Sequence, residues 1–457
     1  MTIWRPTLRS GKENVPLYGQ IAQAIEADVL ADRLRPGDRL PTHRDLARAL
    51  KVTVGTVSRG YAEARKAGWI SGEVGNGTFV LDRKAGRFPS TQGGDSVVDL
   101  GLNVPVDEPA PDLAAAMRAV AADDTIQSLL RYTLTDSRRD RLAGRAVLER
   151  HGLEADPDHV VLCAGTQHGL GVALEAVAHA GDTILAEELT YPGFRPLADA
   201  RGLRIIPVGF DDAGIDLRSL DAACRKGRPR ALYIVPTCHN PTAVTLSLDR
   251  RKALVHIARR HDLTIIEDDV YRMLEPEGPP PLARLAPERT IYVTSLSKCL
   301  APGLRLGYMV APALQHDRIV RAIQDSIWMV APITTALATH WVLQGEFERI
   351  ASAKRKEAAA RQTLAAKLFP RQGQQRTSAA YHLWLATGSN AEAFTLEARA
   401  QGVVVTPGSA FHLGSGPPPR AVRISLSAAP NRSVLTTALE KLAGILEQST
   451  ISPAARL

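Results

Sequence analysis

A chain of 457 residues with 45% hydrophobic and 23% charged residues has ordinary globular usage and room for about three domains, which excludes a disordered or low-complexity protein. No apolar run approaches the roughly 18 residues of a membrane span, Met1–Pro6 lacks the apolar stretch of a signal peptide, and four dispersed cysteines, Cys163, Cys224, Cys238 and Cys299, form no CxxC pair, so no membrane, disulfide framework or zinc site is expected and a cytoplasmic setting fits. The formal charge of +8 permits nucleic-acid binding without requiring it.

Half of that excess lies near the N-terminus, where the first 80 residues hold 12 Lys and Arg against 8 Asp and Glu. This favours an anionic partner for that part of the chain. The apolar positions Ile21, Ile25 and Val29 predict a helix over Leu17–Leu30. Leu34 to Pro41 reads as a turn with a short extended piece. Thr42 is placed to cap a second helix, His43–Leu50, with Asp45 three residues on. Thr53 is placed to cap a third, running to about Ala67 and ending at Gly68. Two short helices with a tight turn form a helix-turn-helix, whose second helix is expected in the major groove. Trp69–Ser71 and Thr78–Val80 then predict a hairpin wing around Glu73–Gly77.

Residues 14–81 resemble the winged-helix domain of GntR-type transcription regulators. The likeness rests on Pro36-Gly37, Leu40-Pro41, Arg44-Asp45-Leu46-Ala47, Gly55-Thr56-Val57, Tyr61, Gly68 and Gly75-Asn76-Gly77-Thr78. It implies double-stranded DNA as partner. Arg44 would hold a phosphate or base edge, Thr53, Thr56 and Arg59 would lie at the start or on the face of the recognition helix, and Gly77 would let the wing approach the minor groove. Val54 stands where the family often has Arg, so one usual contact is missing or relocated. Singly, each of these residues reads as readily as a solvated helix face.

Residues 82–98 read as a linker, of which Asp82–Asp95 is polar, with Gly and Pro and no apolar period, and reaches at most ~50 Å. From residue 99 strand-like and helix-like runs alternate. Candidate strands are His159–Leu162, Thr183–Ala186, Leu203–Val208, Ala231–Val235, Leu263–Ile266, Ile291–Thr294 and Leu306–Val310. The pattern predicts an α/β body with a mainly parallel sheet and ligands at the carboxyl ends of its strands. From about Ile333, Ala-rich helices followed by Tyr381–Leu385 and Val422–Leu426 predict a smaller α+β lobe. The expected division is a head at 1–81, a linker at 82–98 and a body at 99–457. Within the body, the large lobe is expected at about 155–330 and the small lobe at about 99–154 and 331–457.

The body turns on Ser295-Leu296-Ser297-Lys298 through Arg305. A lysine at the end of a buried strand is desolvated, and desolvation makes its amine a nucleophile suited to Schiff bases. Two serines and an arginine around it suit a phosphate monoester. Aldehyde-seeking lysine and phosphate clamp together suggest pyridoxal 5'-phosphate; an exposed loop lysine is the plainer alternative. Other strand ends add to the set. Gly165-Thr166 opens a helix whose N-terminus favours phosphate. Asn240 is placed to donate to a ring oxygen, Asp268 to pair with a pyridine nitrogen, and Tyr271 to reach the ring hydroxyl. Arg423, among strand-type residues, suits a carboxylate. Each alone also reads as a helix start, a turn, a cap or an internal ion pair.

Residues 99–450 resemble fold-type I pyridoxal-phosphate enzymes, the aspartate aminotransferase superfamily. The resemblance implies Lys298 as the internal-aldimine lysine, and Asp268 and Tyr271 with it as the catalytic set. Asn240 and Tyr271 would sit on the ring oxygen. Gly165, Thr166, Ser295, Ser297 and Arg305 would hold the phosphate. Tyr191 would stack on the ring, and Arg423 would take the α-carboxylate of a substrate or effector. Ala243 replaces a usual Gly, and the Leu134–Arg138 segment lacks one.

A GntR-type head on such a body resembles the MocR branch of regulators. That implies a homodimer with exchanged DNA-binding heads and control by the cofactor or an amino compound. A working aminotransferase with an accessory head, and a cofactor-free dimerisation scaffold, are the alternatives; the scaffold would not require Asp268, Lys298 and Arg305 together.

Overall fold

The computed structural model describes residues 4–6, 16–31, 33–34, 38–73, 77–80, 97–133, 136–370, 379–388 and 390–451. Pro36-Gly37, the wing tip Gly75-Asn76, Leu134-Thr135 and linker residues 82–96 lie outside them. Two compact units emerge, Met1–Gln92 with Glu392–Glu397, and Gly93–Ala391 with Ala398–Leu457. Among the described residues no helix is long and apolar enough to cross a membrane, and no group of His, Cys, Asp and Glu could hold a metal.

In the first unit, helices α1 (Leu17–Leu30), α2 (His43–Leu50) and α3 (Val54–Lys66) match the predicted spans. Their starts follow from local chemistry. Thr42 Oγ1 accepts the Asp45 N–H at 3.2 Å while its hydroxyl donates to the Asp45 carboxylate at 2.6 Å. Thr53 Oγ1 accepts the Thr56 N–H at 3.1 Å. Such caps satisfy amide groups that have no partner inside the helix. Helix α3 lies close on α1 at Gly60, where a Cβ would come within 2.9 Å of Ile21 and the Tyr18 carbonyl. Strand β1 (Arg39–Leu40) pairs antiparallel with β3 (Gly77–Val80), which pairs antiparallel with β2 (Ile70–Glu73). Ile21, Ile25, Leu46, Val57, Tyr61, Trp69, Ile70 and Val80 close the core between helices and sheet.

In the second unit the first strand takes in Val98, the last residue of the expected linker. Val98, in β4 (Val98–Asp99), pairs in parallel with Val403 of a later two-residue strand. The alternating runs become β5 (Val161–Cys163), β6 (Thr183–Glu187) and β7 (Arg204–Val208), the small hairpin β8 (Phe210–Asp211) and β9 (Gly214–Ile215), then β10 (Ala231–Ile234), β11 (Thr264–Asp268), β12 (Thr290–Ser295) and β13 (Gly307–Val310). Seven of them form one sheet, ordered β5-β13-β12-β11-β10-β6-β7. Only β13 runs against its neighbours. Every residue of β10 and β12 is buried, which accounts for the apolar runs Ala231–Ile234 and Ile291–Val293, as in a parallel sheet covered on both faces. The helix Thr166–Val177 crosses the sheet with Leu170, Val172 and Leu174 buried.

The remaining chain builds long helices, Pro332–Leu343, Glu346–Leu368 and Arg432–Ile451. They accompany strands β14 (His382–Ala386), β15 (Val403–Val404), β16 (Thr406–Pro407) and β17 (Ala421–Ser425), of which β14, β17 and β16 form an antiparallel sheet.

Candidate functional site

Parallel strands finish on the same side of a sheet, and this brings distant residues together. Gly165 follows β5, Asn240 follows β10, Asp268 ends β11, and Ser295 ends β12 with Lys298 just beyond.

Asp268 is buried. Tyr233 donates its hydroxyl to Asp268 Oδ2 at 3.0 Å, while Oδ1 is buried with no hydrogen-bond partner. Burial pushes the carboxyl up to about 7, against the Tyr233 hydroxyl and the Val270 N–H, which both favour the charged form. An unsatisfied buried acceptor is costly unless a ligand completes it.

Lys298 is partly buried, and its ammonium donates to the Asn103 carbonyl. Burial, then the nearby Arg423 and Arg305 cations, lower it to about 8, with Asp268 pulling the other way. The amine lies 5.8 Å from the centre of the Tyr271 ring. Tyr381 donates its hydroxyl to the Lys298 carbonyl at 2.7 Å, fixing the backbone there.

Arg423 is buried on β17. It donates to Asn240 Oδ1 at 2.8 Å and to the Gly101 carbonyl, and its guanidinium lies 4.8 Å from the centre of the Phe411 ring. Its Nε is buried without a partner. It makes no ion pair with a carboxylate among the described residues, and burial lowers it to about 10. The amide oxygen of Asn240 is thus committed to Arg423, which turns the amide nitrogen away from it.

Five residues gather on the other flank. Arg305 Nη1 lies 3.4 Å from Ser297 Oγ, Thr166 Oγ1 lies 2.9 Å from Ser295 Oγ, and the Ser297 N–H reaches Ser295 Oγ at 3.4 Å. Gly165 has φ +80°, and a Cβ there would sit 2.7 Å from the Arg305 guanidinium. A helix N-terminus, three hydroxyls and a guanidinium make an anion cradle. Tyr191, beside Gly193, has a phenol pushed up to about 12 by burial and by Asp268, against Arg305 and Arg423, which locates it in the field of all three.

Sequence reasoning missed Tyr233, Tyr381, Asn103 and His382. Asn103 donates to Tyr271 Oη at 2.8 Å and contacts His382 Nδ1 at 3.0 Å. The signal for Tyr233 was present, because a tyrosine inside a fully buried strand needs a hydroxyl partner.

In the first unit, Arg44 is exposed on α2 and Gly77 opens β3. Thr53 and Thr56 face each other, with 2.8 Å between their hydroxyls, at the start of α3. The Arg59 guanidinium lies over the Tyr18 ring at 4.5 Å, so this side chain also ties α3 to α1.

Residues 95–442 match the aminotransferase class I and II family, and residues 17–80 match the gntR family of bacterial regulatory proteins. A Bacillus subtilis protein named as an uncharacterized HTH-type transcriptional regulator, YdeF, is 28% identical over 453 residues, which is 98% of this chain and 97% of its own. The probable rhizopine catabolism regulatory protein MocR of Rhizobium meliloti is 25% identical over 364 residues, 73% of each chain. Among solved structures, an archaeal alanine:glyoxylate aminotransferase superposes with a TM-score of 0.72 at 23% identity, over 85% of this chain and 99% of that one. That last likeness is one of fold.

Proposed function

Because the chain belongs to the aminotransferase class I and II family, whose fold is pyridoxal-phosphate-dependent, and carries a GntR-type DNA-binding head as MocR-type regulators do, we propose that it regulates transcription through a body that holds pyridoxal 5'-phosphate and answers to that cofactor or to an amino compound bound with it. The observation that carries this reading is Asp268, which keeps one buried oxygen unpartnered beside a desolvated lysine. A protonated pyridine nitrogen would complete it.

The residues present fit the group. Lys298 would supply the attaching amine, Gly165, Thr166, Ser295, Ser297 and Arg305 the phosphate cradle, and Asn240 and Tyr271 the donors to the ring oxygen. Tyr191 would cover the ring. Bound pyridoxal phosphate supplies an aldehyde for amines and an electron-withdrawing ring. The protein's part is to keep the Lys298 amine desolvated, to hold a charge at Asp268 opposite the ring nitrogen, and to offer Arg423 to an α-carboxylate. The head would contact DNA through Arg44, Thr53, Thr56, Arg59 and Gly77. Exposed Leu130, and Tyr132 set edge-on to Trp328 with ring centres 6.1 Å apart, support assembly as a homodimer, which sedimentation velocity reads directly.

Fluorescence anisotropy on DNA flanking the gene for this protein, with and without pyridoxal phosphate and a panel of amino compounds, tests the regulator. DNA affinity should change with one of these ligands; affinity indifferent to all of them overturns the sensing role. The second reading, an aminotransferase with an accessory head, is favoured by the joint presence of Lys298, Asp268 and Arg423, and steady multiple turnover of an amino acid with a 2-oxo acid would establish it.

A further inference from the structure

A buried polar chain stands behind Tyr271. It runs from the His239 carbonyl through His382 and Asn103 to the Tyr271 hydroxyl, and its proton positions follow from its ends. The His239 carbonyl can only accept, so the His382 Nε2 at 2.9 Å carries a hydrogen. In the neutral ring Nδ1 is then an acceptor, and it receives one hydrogen of the Asn103 amide at 3.0 Å. The other hydrogen of that amide goes to Tyr271 Oη at 2.8 Å. The Asn103 Oδ1 accepts from Ser425 Oγ at 3.3 Å, and the acceptor at His382 Nδ1, which needs an N–H donor, sets which way the amide faces. Tyr271 Oη is therefore an acceptor on the Asn103 side, and its own proton is left for another partner.

We propose that Asn103 and His382 are positioning residues that aim the Tyr271 hydroxyl proton into the ligand site. The inference rests on the pyridoxal-phosphate reading, since the acceptor it addresses is the ring oxygen. Asn103 also takes the Lys298 ammonium on its backbone carbonyl, so one residue orients both the phenol and the amine. Tyr271, Asn103 and His382 come from segments 168 and 279 residues apart in sequence. Hydrogen bonds linked in this way orient one another.

The test uses the full-length protein loaded with pyridoxal phosphate, and reads the pH midpoint of its visible absorbance. A phenol donating to the ring oxygen stabilises the unprotonated form, so Tyr271→Phe should move the midpoint upward. Asn103→Leu and His382→Leu should move it in the same direction, by about one pH unit, the worth of one hydrogen bond. His382→Asn, which restores an acceptor near the Nδ1 position, should return the midpoint most of the way. Lys298, Asp268 and Arg423, the charged groups facing the same phenol, are unchanged in all variants. Thermal melting of each apo variant reads folding separately. A midpoint unmoved in folded Asn103→Leu and His382→Leu, or equal behaviour of His382→Leu and His382→Asn, overturns the proposal. A wild-type protein that takes up no pyridoxal phosphate overturns instead the reading beneath it.

Discussion

Tyr233 donates its hydroxyl to one oxygen of Asp268 at 3.0 Å, and the other oxygen of that carboxyl is buried without a partner. The pair is half of an interaction, since Tyr233 holds one oxygen of the carboxyl and the other is left to be completed. Burial holds the carboxyl up at about 7, whereas an unfolded chain ionises it near the usual ~3.9. Between those values the folded protein binds a proton that the unfolded chain releases, so this group's contribution to stability falls as pH rises from about 4 to about 7. Asp268→Asn removes that loss. Melting of the apo proteins at pH 5 and pH 8 should show the variant gaining on the wild type at pH 8. A constant difference at the two pH values would refute this, and the variant should bind pyridoxal phosphate more weakly throughout.

The Lys298 amine, lowered to about 8 by burial and by Arg423, should react with added pyridoxal phosphate faster as pH rises through about 8, levelling above it. Stopped-flow absorbance after mixing with apo protein gives the profile. Borohydride should then fix the label on Lys298 in the wild type, and Lys298→Ala should retain none after denaturation. A rate still climbing steeply at pH 10 would mean an ordinary solvated lysine.

Arg423 holds two neutral acceptors and no carboxylate among the described residues. Arg423→Leu should weaken binding of α-amino acids roughly 10- to 100-fold, as expected for losing a charge-assisted hydrogen bond. Binding of an amine without a carboxylate should be much less affected. Calorimetry on the two ligand classes decides it, and equal losses for both would remove Arg423 from carboxylate recognition.

In the head, Arg44 and Thr53 should fail in different ways. Arg44→Ala should weaken DNA binding and reduce the salt slope by about 1, as for one lost phosphate contact. Thr53→Ala removes the cap that receives the Thr56 N–H and should cost about 1 kcal/mol of stability. Salt-dependent anisotropy and head-specific melting separate the two, and an unchanged slope in Arg44→Ala would place that side chain away from phosphate.

The parts of this protein that were legible in the sequence are those governed by local rules. Thr42 and Thr53 announce helix starts because a hydroxyl at that position satisfies nearby amides. The sheet strands announce themselves because residues buried on both faces leave unbroken apolar runs. Lys298, Asp268 and Asn240 stand out because strand ends are where parallel sheets gather side chains. Asn103 and His382 stayed hidden because no short-range rule couples a loop amide to an imidazole 279 residues away; only tertiary closure supplies the partner. Arg59 shows the converse, a side chain read from its helix face alone whose guanidinium in fact spans to Tyr18 on α1.

The Gly101 and Asn103 carbonyls, two residues apart, hold the Arg423 guanidinium and the Lys298 ammonium. A newcomer that engages both cations therefore competes with this short segment for them. Its affinity is the difference between two bound arrangements, set by how much better its own groups serve the two cations than the carbonyls they displace.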